Sequence, residues 1–181
     1  MARKPQNRGA MKTVFEGKHL LVKETDDWQF VERKKGKSAV AVIAMTADGK
    51  VILTEQHRKP LGKRVIDYPA GLVGDEEGTS DPAETAKKEL EEETGYVCDS
   101  VEHLATGPSS PGITSEIVSF YRAHGVKHKG PGGGVGGEEI TVHTIPREEL
   151  RAWLKQKQGE GLLIDLKLWG GLYFLGTAPR K

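Results

Sequence analysis

Glu89, Glu92 and Glu93 stand at i, i+3 and i+4 in the run Lys87-Lys88-Glu89-Leu90-Glu91-Glu92-Glu93-Thr94-Gly95. On a helix, that spacing puts the three carboxylates on one face. Like charges so placed destabilise a helix by roughly 0.2–0.5 kcal/mol per pair. A hard divalent cation would neutralise them. Magnesium suits the task, because it takes carboxylate oxygens and shares its shell with phosphates. The chemistry open to such a face is metal-assisted hydrolysis, with water as nucleophile and no Ser, Cys or Thr required. A solvated acidic face, stapled by Lys88 to Glu84 and Glu92, would explain the same run without any chemistry. The helix has clear limits. Asp81 suits the N-cap, Pro82 the first helical position and Glu84 the third, and Gly95 stands where a left-handed residue ends a helix.

The flanks favour chemistry. Pro69-Ala70-Gly71-Leu72-Val73 precedes the acidic helix, and Glu92-Glu93-Thr94-Gly95 closes it. Here the sequence resembles the Nudix hydrolases, whose box reads G-x5-E-x7-R-E-U-x-E-E-x-G-U, with U apolar. Gly71, Glu77, Glu89, Leu90, Glu92, Glu93, Gly95 and Tyr96 match its elements. There are two departures. Lys88 replaces the box arginine, keeping the charge but losing the planar fork. Ten residues, not seven, separate Glu77 from Lys88, so Glu76 is an alternative to Glu77.

The resemblance implies roles. Glu89 and Glu93 would be direct ligands of Mg2+, with Mn2+ a possible substitute. Glu92 would be a ligand or a water orienter, and the Ala70 carbonyl would complete the site. Lys88 would orient the glutamates. In the nucleotide-sugar relatives the general base is commonly a glutamate on a loop after the box. Glu138 is the first candidate for it and Glu139 the second, with Glu116 a third that could instead serve a second metal. Gly130, Gly132, Gly133, Gly134, Gly136 and Gly137 crowd that loop, which is expected to be mobile.

Glu55-Gln56-His57-Arg58, Asp67-Tyr68-Pro69-Ala70-Gly71 and Ser110–Glu116 resemble the subgroup of nucleoside diphosphate sugar hydrolases and ADP-ribose pyrophosphatases. Pro111, sixteen residues beyond Gly95, falls where that subgroup carries a proline. Asp165-Leu166-Lys167 resembles the nucleotide-sugar enzymes more than strict ADP-ribose ones. Two residues apart, the pair would point to different sides of a helix. The implied reaction is hydrolysis of a nucleoside diphosphate sugar to a nucleoside monophosphate and a sugar 1-phosphate. ADP-ribose pyrophosphatase is the alternative, and a non-catalytic nucleotide-sensing Nudix domain is the alternative of another class. Arg58 and Arg64 are candidate phosphate contacts, since arginine's fork suits phosphate oxygens. Trp28 could stack on a base or simply pack. The resemblance also implies a homodimer whose N-terminal strands cross over.

The chain that must position these groups has 181 residues, enough for one domain with a single core. Hydrophobic residues make up 36% and charged residues 29%, and the formal net charge is +1, which offers no global attraction for nucleic acid. Cys98 is the lone cysteine and reads as a half-buried strand residue. The basic start is followed by no apolar run, and no stretch approaches the roughly 18 apolar residues of a membrane helix. A cytoplasmic protein without membrane contact is the expectation. Residues 1–10 read as a disordered basic tail, 11–37 as a strand-rich arm, and 38–181 as the Nudix domain. Asp48-Gly49 marks a tight turn. After the acidic helix, strands are expected at 97–106, 117–124 and 139–145. A helix is expected from Pro146 to about residue 156, and a last one over about 162–175. Strands, helix, strands and two helices suggest an α+β fold, an α/β/α sandwich with a mixed sheet between helices. Trp153 and Trp169 read as packing residues, and His57, His103 and His143 as strand positions.

Overall fold

Residues 39–44 feed two different cores in alternation. Val40, Val42 and Ala44 join Ile52, Ala86, Leu90 and Tyr121, whereas Ala41 and Ile43 join Leu53, Ile66, Tyr68, Leu154 and Leu168. A strand apolar on both faces belongs in the middle layer of three. The computed structural model describes residues 10–36, 38–74 and 80–176, and it has that architecture. Residues 1–9 of the expected basic tail lie outside the described residues, as do Glu76 and Glu77.

In chain order the elements are β1 (Lys12–Glu16), β2 (Leu20–Thr25), β3 (Trp28–Arg33), β4 (Ser38–Ile43), β5 (Lys50–Arg58), β6 (Lys63–Asp67), β7 (Ala70–Val73), α1 (Pro82–Thr94), β8 (Tyr96–Val97), β9 (Ser100–Pro108), β10 (Ile117–His124), β11 (Lys127–His128), β12 (Thr141–Pro146), α2 (Leu150–Gly159), β13 (Leu163–Ile164) and α3 (Leu166–Gly176). Two mixed four-stranded sheets, β7-β4-β10-β9 and β12-β5-β6-β13, form the middle. β10 runs parallel to β4, and β13 parallel to β6. Ala86 and Leu90 of α1 cover one side. Leu150 and Leu154 of α2, with Leu168 and Leu175 of α3, cover the other.

Strands β1 to β3 make a separate antiparallel sheet, none of whose residues is buried. Its backbone meets the domain where Val31 N donates to Ile113 O (2.8 Å) and Ser115 N to Val31 O (3.2 Å). No helix among the described residues is long and apolar enough to cross a membrane.

Helix α1 has the expected ends. Asp81 accepts from Ala83 N at 2.9 Å, Pro82 opens the helix, and Gly95 at φ 73° donates to Glu91 O at 2.8 Å. The expected staple from Lys88 to Glu92 is present (3.6 Å), and Glu84 is met by Lys87 (2.9 Å). Two boundaries differ. Pro146 ends edge strand β12 opposite Lys50 instead of opening a helix, a place that asks no N–H of it. Residues 163–164 pair with β6, so the last helix begins only at Leu166. Asp165 explains the late start, because its carboxylate accepts from Lys167 N at 2.8 Å.

Candidate active site

Strand β7 and helix α1 are packed so closely that a side chain on Gly71 would collide with the Glu89 carboxylate. Only a residue without Cβ lets the backbone approach that group. Glu93, one helical turn on, is 4% exposed and accepts from Ala70 N at 3.0 Å. Burial pushes its carboxyl up to about 8, the nearby Glu89 and Glu138 carboxylates push the same way, and the Ala70 amide and Arg58 offset this only in part. A buried carboxyl among like charges is a site that a cation would relieve.

These groups line a cavity of about 240 Å³ together with Gln56, Arg58, Lys88, Glu92 and Glu138. Its donors are oxygens, which fit a hard divalent ion. Among the described residues, no three carboxylate, imidazole or thiol groups converge closely enough to form a metal cluster in the present side-chain arrangement. The fit therefore rests on donor type and shared cavity.

Two more cavities adjoin it. One, about 170 Å³, shares Arg58, Ala70 and Gly71 and adds Asp67, Ser109, Glu116 and Lys167. The other, about 400 Å³, shares Gln56 and Glu138 and adds His57, Lys59, Gly136, Gly137 and Glu139. Glu138 thus stands between two cavities, while Glu139 faces the outer one alone. Glu116 pairs with Arg33 of β3 at 2.9 Å. A larger, mostly apolar cavity of about 470 Å³ lies at the far ends of β4 and β10, by Ile43 and His124, and holds none of the box carboxylates.

The two candidate arginines part company. Arg58 lines the first two cavities. Arg64 lines none of the four; its guanidinium is held by the Glu55 carboxylate and by Thr141 Oγ1 (3.1 Å), and Glu55 also takes His143 Nε2 (2.8 Å). Trp28 opens arm strand β3 at 58% exposure, outside all these cavities. Pro111 sits in the exposed turn before β10 and lines none of them.

Asp165 and Lys167 meet rather than diverge. Asp165 precedes α3 and caps it, so helical spacing does not separate the pair. The Lys167 ammonium bridges Asp165 Oδ2 (2.7 Å) and Asp67 Oδ2 (2.8 Å). Asp67 is a residue to which sequence reasoning assigned no role. Burial raises its carboxyl to about 6, and the Lys167 charge holds it from going higher. The acid at the end of β6, just before Tyr68-Pro69, was the only local sign. The glycine-rich segment also departs from expectation. It is tied down over its first half, where Gly133 N donates to Glu93 O (2.9 Å) and Gly134 N to Glu92 O (3.0 Å).

Residues 35–164 match the NUDIX domain model. This chain belongs to the NUDIX family. Its relatives include a protein named methanol dehydrogenase activator from Bacillus methanolicus, 40% identical over 66% of this chain and 64% of that protein. An ADP-ribose pyrophosphatase of Bacillus subtilis (strain 168) is 37% identical over 63% of each chain. An ADP-sugar pyrophosphatase of Mus musculus is 32% identical over 81% of this chain and 72% of that one. The chain therefore spans just under two thirds of the first two relatives. A solved structure described as an ADP compounds hydrolase superposes with a TM-score of 0.66 at 16% identity, covering 83% of this chain and 86% of that one, which shows a shared fold.

Proposed function

We propose that this protein hydrolyses the pyrophosphate of nucleoside diphosphate sugars, releasing a nucleoside monophosphate and a sugar 1-phosphate. The observation that carries the reading is the single cavity that gathers Glu89, Glu92, Glu93 and Glu138 beside Arg58. The pyrophosphatase names of the relatives support the substrate class.

Glu89 and Glu93, with Glu92 and the Ala70 carbonyl, would hold Mg2+, or Mn2+ in its place. When bound, the cation supplies charge neutralisation and polarises the phosphoryl oxygens. Arg58 binds the pyrophosphate, and Lys88 holds Glu92 in position. Glu138 takes the proton from the attacking water as its oxygen bonds to phosphorus and the bridging P–O bond breaks. Glu139, facing only the outer cavity, is the weaker candidate for that proton. Lys167 presents its charge to the second cavity and is steadied by Asp165.

Arg58→Ala is expected to raise KM roughly 10- to 100-fold, the loss of a charge-assisted hydrogen bond of about 1.5–3 kcal/mol. Arg64→Ala should leave KM within about threefold, since its guanidinium is engaged with Glu55. Equal effects in steady-state kinetics would contradict this division of labour.

Monophosphate release from ADP-ribose, ADP-glucose, UDP-glucose, GDP-mannose and ATP tests the substrate class. Turnover of several nucleotide sugars, and not of ATP, is expected. Turnover of ADP-ribose alone would favour the ADP-ribose pyrophosphatase reading that the Bacillus subtilis relative's name suggests. Binding without turnover would favour a nucleotide-sensing role, the form suggested by a relative named for activating another enzyme.

We further propose that the arm pairs with a second copy of the chain. Its Phe15 (63% exposed) and Trp28, with Met11, Val14 and Leu20, are large apolar side chains left in solvent. Equilibrium sedimentation should give a dimer that Phe15→Glu converts to monomer; a monomeric wild type would end the idea.

A further inference from the structure

The last carbonyls of any helix lack partners within it, and water usually serves them. At the end of α1 another part of the chain does so. Glu92 O accepts from Gly134 N (3.0 Å), Glu93 O from Gly133 N (2.9 Å), and Gly95 O from Lys129 N (2.8 Å) and Gly130 N (3.0 Å). Outside the backbone, Lys129 Nζ reaches Glu91 Oε1 at 2.6 Å. This is backbone laid on backbone. A Cβ on Gly132 would run into the Thr94 main chain, and one on Gly95 into the Gly130 carbonyl.

The segment then turns back toward the cavity. Glu138 N donates to Val135 O and Ile140 N to Gly133 O, both at 3.3 Å. The Glu138 side chain rests on bare Gly134, where a Cβ would stand 2.7 Å from Glu138 Oε2 and 2.8 Å from Glu138 Cβ. Gly132 (φ 63°) and Gly134 (φ 87°) also adopt left-handed backbone that other residues resist.

From these contacts we infer that Gly132 and Gly134 are positioning residues that clamp the loop to the end of α1 and so hold the Glu138 carboxylate over Glu89, Glu92 and Glu93. The inference rests on the hydrolase reading for Glu138's chemical role. One helix thereby carries three of the carboxylates and fixes the fourth, so all four share one frame. The loop is a cap on the helix end, and its glycines serve contact more than freedom. Misplacing a reacting group by about 1 Å can cost on the order of 100-fold in rate, so such a clamp has kinetic consequences.

The experiment combines kinetics with amide hydrogen exchange on the full chain. Gly134→Ala is expected to lower kcat roughly 10- to 100-fold while KM stays within about threefold. Added to Glu138→Gln, it should cause no further loss, whereas a general structural defect would multiply. In wild type, the amides of Gly133 and Gly134 should exchange as slowly as the last turn of α1. Gly132→Ala should speed their exchange, and Gly134→Ala should speed that of Glu138 and Ile140. An unchanged kcat in Gly134→Ala, a multiplicative loss with Glu138→Gln, or fast wild-type exchange at Gly133 and Gly134 would overturn the inference. Absence of wild-type turnover with the exchange pattern intact would count against the hydrolase reading alone, because exchange reports the clamp and the displacement of Glu138 without any reaction.

Discussion

Glu93→Gln is expected to lower turnover by at least about 100-fold, equivalent to about 2.7 kcal/mol of lost transition-state stabilisation, while leaving the fold intact. Glutamine keeps the side-chain volume and still offers an oxygen to the Ala70 amide, which donates to Glu93 Oε2 at 3.0 Å. It removes the negative charge at the most buried point of the cavity, 4% exposed. In the metal-free chain that charge is unwelcome, since burial and the neighbouring carboxylates raise its carboxyl to about 8. The variant should therefore unfold at the wild-type temperature or slightly above it in chelator. In contrast, the stabilisation that wild type gains from added magnesium should shrink. Thermal unfolding with and without magnesium, beside kcat, separates the two effects. Retention of more than about a tenth of the wild-type rate would sink the assignment of Glu93 as a metal ligand.

Lys167→Met should be the most destabilising single change near the site. It strands Asp67, whose side chain is 6% exposed and whose carboxylate takes the Lys167 ammonium at 2.8 Å. Removing one partner of a buried pair costs about 3–5 kcal/mol, because the other charge stays buried. At roughly 2–4 °C per kcal/mol for a chain of this size, Tm at pH 7.5 should fall by on the order of 10 °C. The pH dependence has a definite sign. Asp67 already has a folded-state carboxyl near 6, above its ordinary 3.8, so the folded state holds a proton that the unfolded state releases between those values. Stability from this group is greatest below 3.8 and declines as pH rises through 6. Without Lys167 the folded value rises further, so the deficit should be largest above neutrality and shrink on acidification toward pH 5. Adding Asp67→Asn should recover much of the loss at pH 7.5. A deficit that does not change with pH, or no recovery in the double variant, would show that Lys167 acts through packing alone.

What the sequence disclosed follows from how local each signal is. Asp81-Pro82 and Gly95 bracket α1 within its own residues, and the spacing of Glu89, Glu92 and Glu93 defines a face of that one helix. Both could be read without knowing the rest of the chain. Arg58 and Arg64 look alike in sequence, yet one enters the cavity and the other serves Glu55, because strand pairing on the β5-β6 hairpin decides their faces. Asp165 and Lys167 diverge only if a helix is drawn through both; α3 starts at Leu166, past Asp165, and Lys167 then reaches both Asp165 and Asp67. The glycine cluster invites a reading of flexibility from composition. Its hydrogen bonds run to carbonyls some forty residues earlier in the chain, at Glu92 and Glu93, which no local pattern announces. Pro146 reads as a helix opener because proline suits a first helical position, and only its pairing with Lys50 on edge strand β12 shows that it ends a strand.

The most direct test is the steady-state rate of monophosphate release from ADP-glucose, measured with magnesium and again after chelation, for wild type beside Glu93→Gln. Hydrolysis at this cavity requires turnover in wild type that chelation abolishes and magnesium restores, with Glu93→Gln at least about 100-fold slower in magnesium. Turnover that survives chelation, or of which Glu93→Gln retains more than about a tenth, would place the chemistry elsewhere in the molecule.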